Sequence, residues 1–159
     1  MPKAEINLSE GDKAPGFELT DPNGKKVSLK DFWGKKNVVL YFYPKDMTPG
    51  CTQEACDFSK HLPVFTKKDT VVIGVSFDDE KSHLKFIQKH GLKIILLSDH
   101  DKKTANAYGV YQEKSLYGRK FMGIVRSTFV IDKKGKIKKA FPKVKVNGHW
   151  EEVLEALKI

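Results

Sequence analysis

Three short, almost wholly apolar runs constrain the fold of this chain more than any other feature. Asn37-Val-Val-Leu-Tyr-Phe-Tyr43, Val71-Val-Ile-Gly-Val-Ser-Phe77 and Ile94-Ile-Leu-Leu97 lack the alternation of a strand with one wet face. The first is stopped by Pro44. Runs of this kind read as strands covered on both sides. Between the second and third, Asp78 and Asp79 can cap a helix to about His90, with Leu84, Phe86 and Ile87 on its apolar side and Gly91 as its stop. A helix through about Lys60 follows the first run, and a short one from about Lys102 to Tyr108 ends at Gly109. Strand and helix thus alternate through residue 100, which argues for parallel strands joined by crossover helices.

The flanking segments add antiparallel pieces. Asp21-Pro-Asn-Gly24 is a turn signal leading into a short strand, Lys26-Val-Ser-Leu29. Thr128-Phe-Val-Ile-Asp132 and Lys136-Ile-Lys-Lys-Ala-Phe141 flank the turn at Asp132-Lys-Lys-Gly135 and read as a hairpin. Trp150, Val153, Leu154 and Leu157 have the i, i+3, i+4, i+7 spacing of a closing helix. The expected architecture is α/β, a central mixed β-sheet flanked by helices on both faces. A length of 159 residues without repeats or linkers suits one domain over 1–159. No run approaches the ~18 apolar residues of a membrane helix. Met1 to Asp12 is polar, without the apolar centre of a secretory signal. Two cysteines are too few for a stapled scaffold, so a reducing cytoplasm is the expected compartment, and a processed organellar form also fits.

A net charge of +9 raises the question of nucleic acid. Of the 29 basic residues only Arg119 and Arg126 are arginine, and the lysines are dispersed as pairs between expected elements. Readers of nucleic acid lean on arginine forks and a concentrated basic face, so no specific nucleic-acid partner is expected. A solvated lysine-rich surface is the simpler reading, with weak, salt-sensitive attraction to polyanions as its alternative. The scarcity of arginine makes Arg126 informative, because it lies inside Gly123-Ile-Val-Arg-Ser-Thr-Phe-Val-Ile131. Either it sits on an edge strand with its head in water, or it stabilises an anion near a site.

Both cysteines fall in one nine-residue stretch, Thr48-Pro-Gly-Cys-Thr-Gln-Glu-Ala-Cys56, after the first apolar run. Cys51 is placed in the first turn of the helix, where unpaired N–H groups and a partial positive charge favour thiolate over thiol. Pro49 and Gly50 shape the entry and Thr48 offers a hydroxyl nearby. The alternative is an inert thiol packed as a small hydrophobe. Residues five apart in an ideal helix have Cα atoms ~8.6 Å apart, against the ~4.4–6.8 Å that a disulfide needs. If Cys51 and Cys56 bond, the helix between them must at least partly unwind.

Other constellations carry less. The histidines at 61, 83, 90, 100 and 149 show no ligand spacing with the cysteines, and His83 and His90 are expected on a helix surface. A Cys-x4-Cys pair without a second pair does not suggest zinc, and no glycine-rich phosphate loop is present. No metal or other cofactor is expected.

Pro44, Thr48 and Cys51 spell Pro-x-x-x-Thr-x-x-Cys, and this segment resembles the active-site loop of the peroxiredoxins. Thr-Pro-Gly-Cys-Thr-x-Glu-Ala-Cys is closest to the bacterioferritin-comigratory-protein or Q-type subfamily, an atypical two-cysteine group. Gly11-Asp-Lys-Ala-Pro-Gly-Phe17 and Arg126-Ser-Thr-Phe-Val-Ile-Asp132 extend the resemblance over most of the chain. It implies a thioredoxin-like fold and a cofactor-independent thiol peroxidase acting on hydrogen peroxide and organic hydroperoxides. Cys51 would attack the peroxide and become a sulfenic acid, and Cys56 would close an intramolecular disulfide. Thr48 and Arg126 would hold the peroxide, Pro44 would shield the sulfur, and Glu54 would stand near the arginine. Thioredoxin or a related dithiol would restore the thiols. Resolution within one chain implies a monomer, with a weak dimer also compatible. Two rivals stay in view. A thioredoxin-type oxidoreductase would want Cys-x-x-Cys, and a chaperone or polyanion-binding module with sensing thiols would want a concentrated basic or apolar face.

Overall fold

A computed structural model describes residues 8–158, so part of the polar Met1–Asp12 segment lies outside the described residues. The strands are β1 (Glu18–Thr20), β2 (Lys26–Ser28), β3 (Asn37–Phe42), β4 (Thr70–Ser76), β5 (Ile95–Ser98), β6 (Tyr111–Leu116), β7 (Arg119–Ile124), β8 (Ser127–Ile131) and β9 (Ile137–Phe141). The helices are α1 (Pro49–Lys60), α2 (Leu62–Thr66), α3 (Glu80–His90), α4 (Lys103–Ala107) and α5 (His149–Leu157), with a 3₁₀ turn at Leu29–Phe32. Seven strands form one sheet in the order β2-β1-β5-β4-β3-β8-β9, while β6 and β7 pair alone. The three apolar runs are its parallel centre, β5-β4-β3, and the expected hairpin β8–β9 continues it antiparallel. The sheet is mixed with helices on both faces, as the sequence suggested.

The continuous apolar character of β3 has a direct cause. Val38, Leu40 and Phe42 enter one core with Ile73, Val75, Phe129 and Tyr108. Val39, Tyr41 and Tyr43 enter the other, with Cys51, Ala55, Phe58, Phe86 and Val153. Side chains of a strand alternate between faces, so a strand at the sheet centre needs apolar residues at every position. β3 and β8 run antiparallel with Phe42 opposite Ser127. The carboxyl end of β3, where the chain turns into α1, therefore lies beside the residue that precedes β8, Arg126.

Several elements depart from the expectations. Leu84 is not on the apolar side of α3; it is exposed, and the buried positions there are His83 and Phe86. His83, expected on a helix surface, is fully buried because its ring nitrogens find oxygen partners inside. β1, α2 and the β6–β7 hairpin were not anticipated. Among the described residues no helix is long and apolar enough to cross a membrane.

Candidate active site

The residues singled out in the sequence converge at the start of α1. Thr48 is the N-cap, with extended backbone (φ −82°, ψ 154°), and Pro49 occupies the first turn, where its missing N–H costs nothing. Cys51 follows in that turn, buried against Tyr41, Tyr43 and Phe58. A sulfur there faces the positive end of the helix.

Arg126 completes the pocket. Its Nη2 donates to Cys51 Sγ at 3.2 Å and its Nη1 to Glu54 Oε1 at 2.6 Å. Its side chain is only 17% exposed, so the edge-strand alternative does not hold. A Cβ on Gly50 would lie 3.2 Å from Nη2, so the glycine leaves the guanidinium its room. Glu54 lies one turn along α1 from Cys51, on the same face, which is how one fork reaches both.

Burial pushes the Glu54 carboxyl up to about 7, although the guanidinium pulls the other way. Its second oxygen, Oε2, and the hydroxyl of Tyr41 are buried without a hydrogen-bond partner. Arg126 stays above its ordinary value; burial opposes its charge, but Glu54 and Cys51 outweigh that. Cys56 stands on the same uninterrupted helix, half-buried, and both thiols are free. Burial, with Asp57 beside it, raises the Cys56 thiol above its ordinary value.

The remaining candidates are less directly tied to the sulfur. Thr48 Oγ1 donates to the Lys45 carbonyl at 2.9 Å, so its lone pairs remain to accept from a ligand. Pro44 is half-buried, at the exit of β3. Arg119 lies exposed on β7 and takes no part.

Two features escaped sequence reasoning. Lys114 donates from Nζ to the Ile124 carbonyl at 2.9 Å. Burial, and then the charge of Arg126, depress its ammonium, while Cys51 acts in the opposite sense. In a chain that scatters lysine everywhere, nothing marks this one. The second is Asp46, which with Asp78 and His83 forms a trio whose donor-type atoms lie within 4.8 Å of one another. Asp46 Oδ2 faces His83 Nδ1, Asp78 Oδ2 accepts from the Asp46 backbone N–H, and the two carboxylates accept further bonds from Tyr43, Ser76 and Ser82. The Asp between Pro44 and Thr48 was the available signal.

A buried thiol at a helix N-terminus, held by a guanidinium and accompanied by a second thiol, is suited to nucleophilic attack followed by disulfide formation. The AhpC/TSA family profile matches residues 10–140. Peroxiredoxin Bcp of Bacillus subtilis is 51% identical over 153 residues, covering 96% of this chain and 97% of that protein. Among solved structures, a PrxQ mutant from Xylella fastidiosa superposes with a TM-score of 0.90 at 39% identity, covering 97% of this chain and 98% of its own. The bacterioferritin comigratory protein of Xanthomonas campestris, studied for alkyl peroxide reduction through a trapped intermediate, gives a TM-score of 0.86 at 40% identity, with the same coverage.

Proposed function

Because this chain belongs to the AhpC/TSA family, as a peroxiredoxin of the Bcp or PrxQ type, and is therefore a thiol peroxidase, we propose a specific division of labour among its residues. Cys51 is the peroxidatic residue. Its thiolate attacks the terminal oxygen of a peroxide ROOH, the O–O bond breaks, and the alkoxide takes up a proton and leaves as ROH. Cys51 then carries the sulfenic acid. Arg126 holds sulfur and peroxide in one fork, Thr48 accepts from the peroxide hydroxyl, and Pro44 limits water at the sulfur. Glu54 keeps the guanidinium aimed by accepting from the nitrogen that does not face Cys51. Hydrogen peroxide and alkyl hydroperoxides are the substrates.

Cys56 resolves. Its thiol displaces hydroxide from the Cys51 sulfenic acid, the proton lost by Cys56 completes a water, and an intramolecular disulfide remains. The intact α1 keeps the two Cα atoms ~8.6 Å apart, so α1 unwinds before this step. A dithiol reductant returns both thiols by exchange, and thioredoxin is the partner we assign. Resolution inside one chain makes a monomer sufficient. A reducing cytoplasm fits a cycle that must return to the dithiol. We read 1–159 as one domain, since a single sheet spans residues 18 to 141.

The bidentate contact of Arg126 with Cys51 Sγ and Glu54 Oε1 carries this reading. It is tested in the Cys56→Ser protein given one equivalent of hydrogen peroxide and then dimedone. The adduct is expected on Cys51. A protein whose Cys51 takes no adduct, with peroxide unconsumed, contradicts the assignment.

A further inference from the structure

Asp46, Asp78 and His83 have no part in the chemistry above, yet they form a polar cluster beside the Pro44–Thr48 loop, two of its members buried and Asp78 half-buried. Asp46 is 6% exposed and His83 fully buried. Asp46 Oδ1 accepts from the Tyr43 hydroxyl at 2.6 Å, and Oδ2 accepts from Ser82 Oγ at 2.8 Å and faces His83 Nδ1 at 2.7 Å. The other ring nitrogen of His83, Nε2, meets the Leu97 carbonyl at 3.0 Å. Every polar atom of this carboxylate and imidazole is therefore engaged, and a satisfied buried network is rigid.

The cluster reaches the pocket through one peptide plane. The N–H of Asp46 donates to Asp78 Oδ2 at 2.8 Å, and Ser76 Oγ donates to the same oxygen at 2.7 Å. The carbonyl of that same peptide, belonging to Lys45, accepts from Thr48 Oγ1. The Lys45–Asp46 peptide is thus held from both ends, and its plane dictates where the Thr48 hydroxyl points. Met47, between them, has φ 65°, a left-handed conformation that a non-glycine residue keeps only when its surroundings hold it there.

The anchors lie on β4, on the turn after it and on α3, none of which has to move when α1 opens between Cys51 and Cys56. We propose that Asp46, Asp78 and His83 are positioning residues that pin the Pro44–Thr48 loop to the β4–α3 junction, so that the peroxide-binding half of the pocket stays built while α1 unwinds and rewinds. The inference rests on the reading of Thr48 as a peroxide contact. It assigns to the loop a fixed side, anchored by this cluster, and leaves the helix as the mobile side.

The test compares two reagents on reduced full-length protein. Hydrogen peroxide needs the oriented Thr48 and Arg126, whereas iodoacetamide needs only an accessible, ionised sulfur. In Asp46→Asn and Asp78→Asn the rate of Cys51 oxidation is expected to fall about tenfold or more, the scale of one charge-assisted hydrogen bond, with alkylation changed less than about twofold. His83→Gln belongs in the same series. Should it not fold, Tyr43→Phe removes one donor to Asp46 while keeping the ring, and carries the same test. Equal slowing toward both reagents would make the cluster merely structural, and unchanged peroxide rates would remove it from function; either overturns the proposal. A wild type inert to peroxide would instead sink the residue assignments on which the inference rests.

Discussion

Arg126 bonds to the Cys51 sulfur with one nitrogen and to the buried Glu54 carboxyl with another, so both its charge and its planarity matter in the proposed mechanism. Lysine in its place keeps the charge and loses the fork. Arg126→Lys is expected to slow Cys51 oxidation by ~10–100-fold, the loss of one or two charge-assisted hydrogen bonds, with the far-ultraviolet dichroism unchanged. Stopped-flow fluorescence measures the rate. Glu54 makes a different prediction, about pH. Its carboxyl titrates at about 7 in the fold against an ordinary 4.5. Below 4.5 both folded and unfolded chains hold the proton; as pH rises toward 7 the unfolded chain releases it first, so stability falls across that window. Glu54→Gln should flatten this fall, worth up to ~3 kcal/mol at ~1.4 kcal/mol per unit, in urea titrations at pH 4.5 and 7.5. Arg126 was legible in the sequence because arginine is scarce there. His83 was not: helical spacing identifies a face but not whether oxygens wait behind it, and here Asp46 and the Leu97 carbonyl do.

In the proposed cycle α1 must be both stable and able to open. Its far end is clamped to α5, with Phe58 edge-on to His149 and the C-cap residue His61 stacked on Trp150 at 3.5 Å. Opening of the first two turns is therefore expected to stop near Phe58. Amide exchange on the peroxide-oxidised protein should lose protection over residues 50–57 while α5 stays protected; an unchanged pattern across α1 would refute the unwinding step. The cysteine spacing alone raises this requirement, since it depends only on helix geometry. The β6–β7 hairpin was not. Its burial pattern is mostly exposed, leaving no apolar period to read, and its turn at Tyr117-Gly118 uses two positive φ angles, 51° and 77°, with only one glycine to mark them.

At the scale of the molecule, the parallel centre and the C-terminal hairpin followed from pattern, because a strand buried on both faces has an unmistakable composition. The three residues of β1 carry little signal, whereas β2, equally short, was legible through the Asp21–Gly24 turn before it. Gly74 on β4 shows how tightly the core on the Tyr41 face of the sheet is packed. A Cβ there would lie 2.7 Å from the Tyr41 ring and 2.9 Å from a Leu96 methyl. Gly74→Ala should cost ~1–3 kcal/mol in urea unfolding, as overpacking does, and a neutral result would mean Tyr41 has room to retreat. In the proposed cycle, sulfur, loop, helix and reductant act together in one turnover. The most direct test of that account is peroxide consumption at steady state with thioredoxin and its reductase, in wild type beside Cys51→Ser and Cys56→Ser. The account expects no turnover without Cys51 and a single equivalent consumed without Cys56. Turnover at the wild-type rate in Cys51→Ser would contradict it.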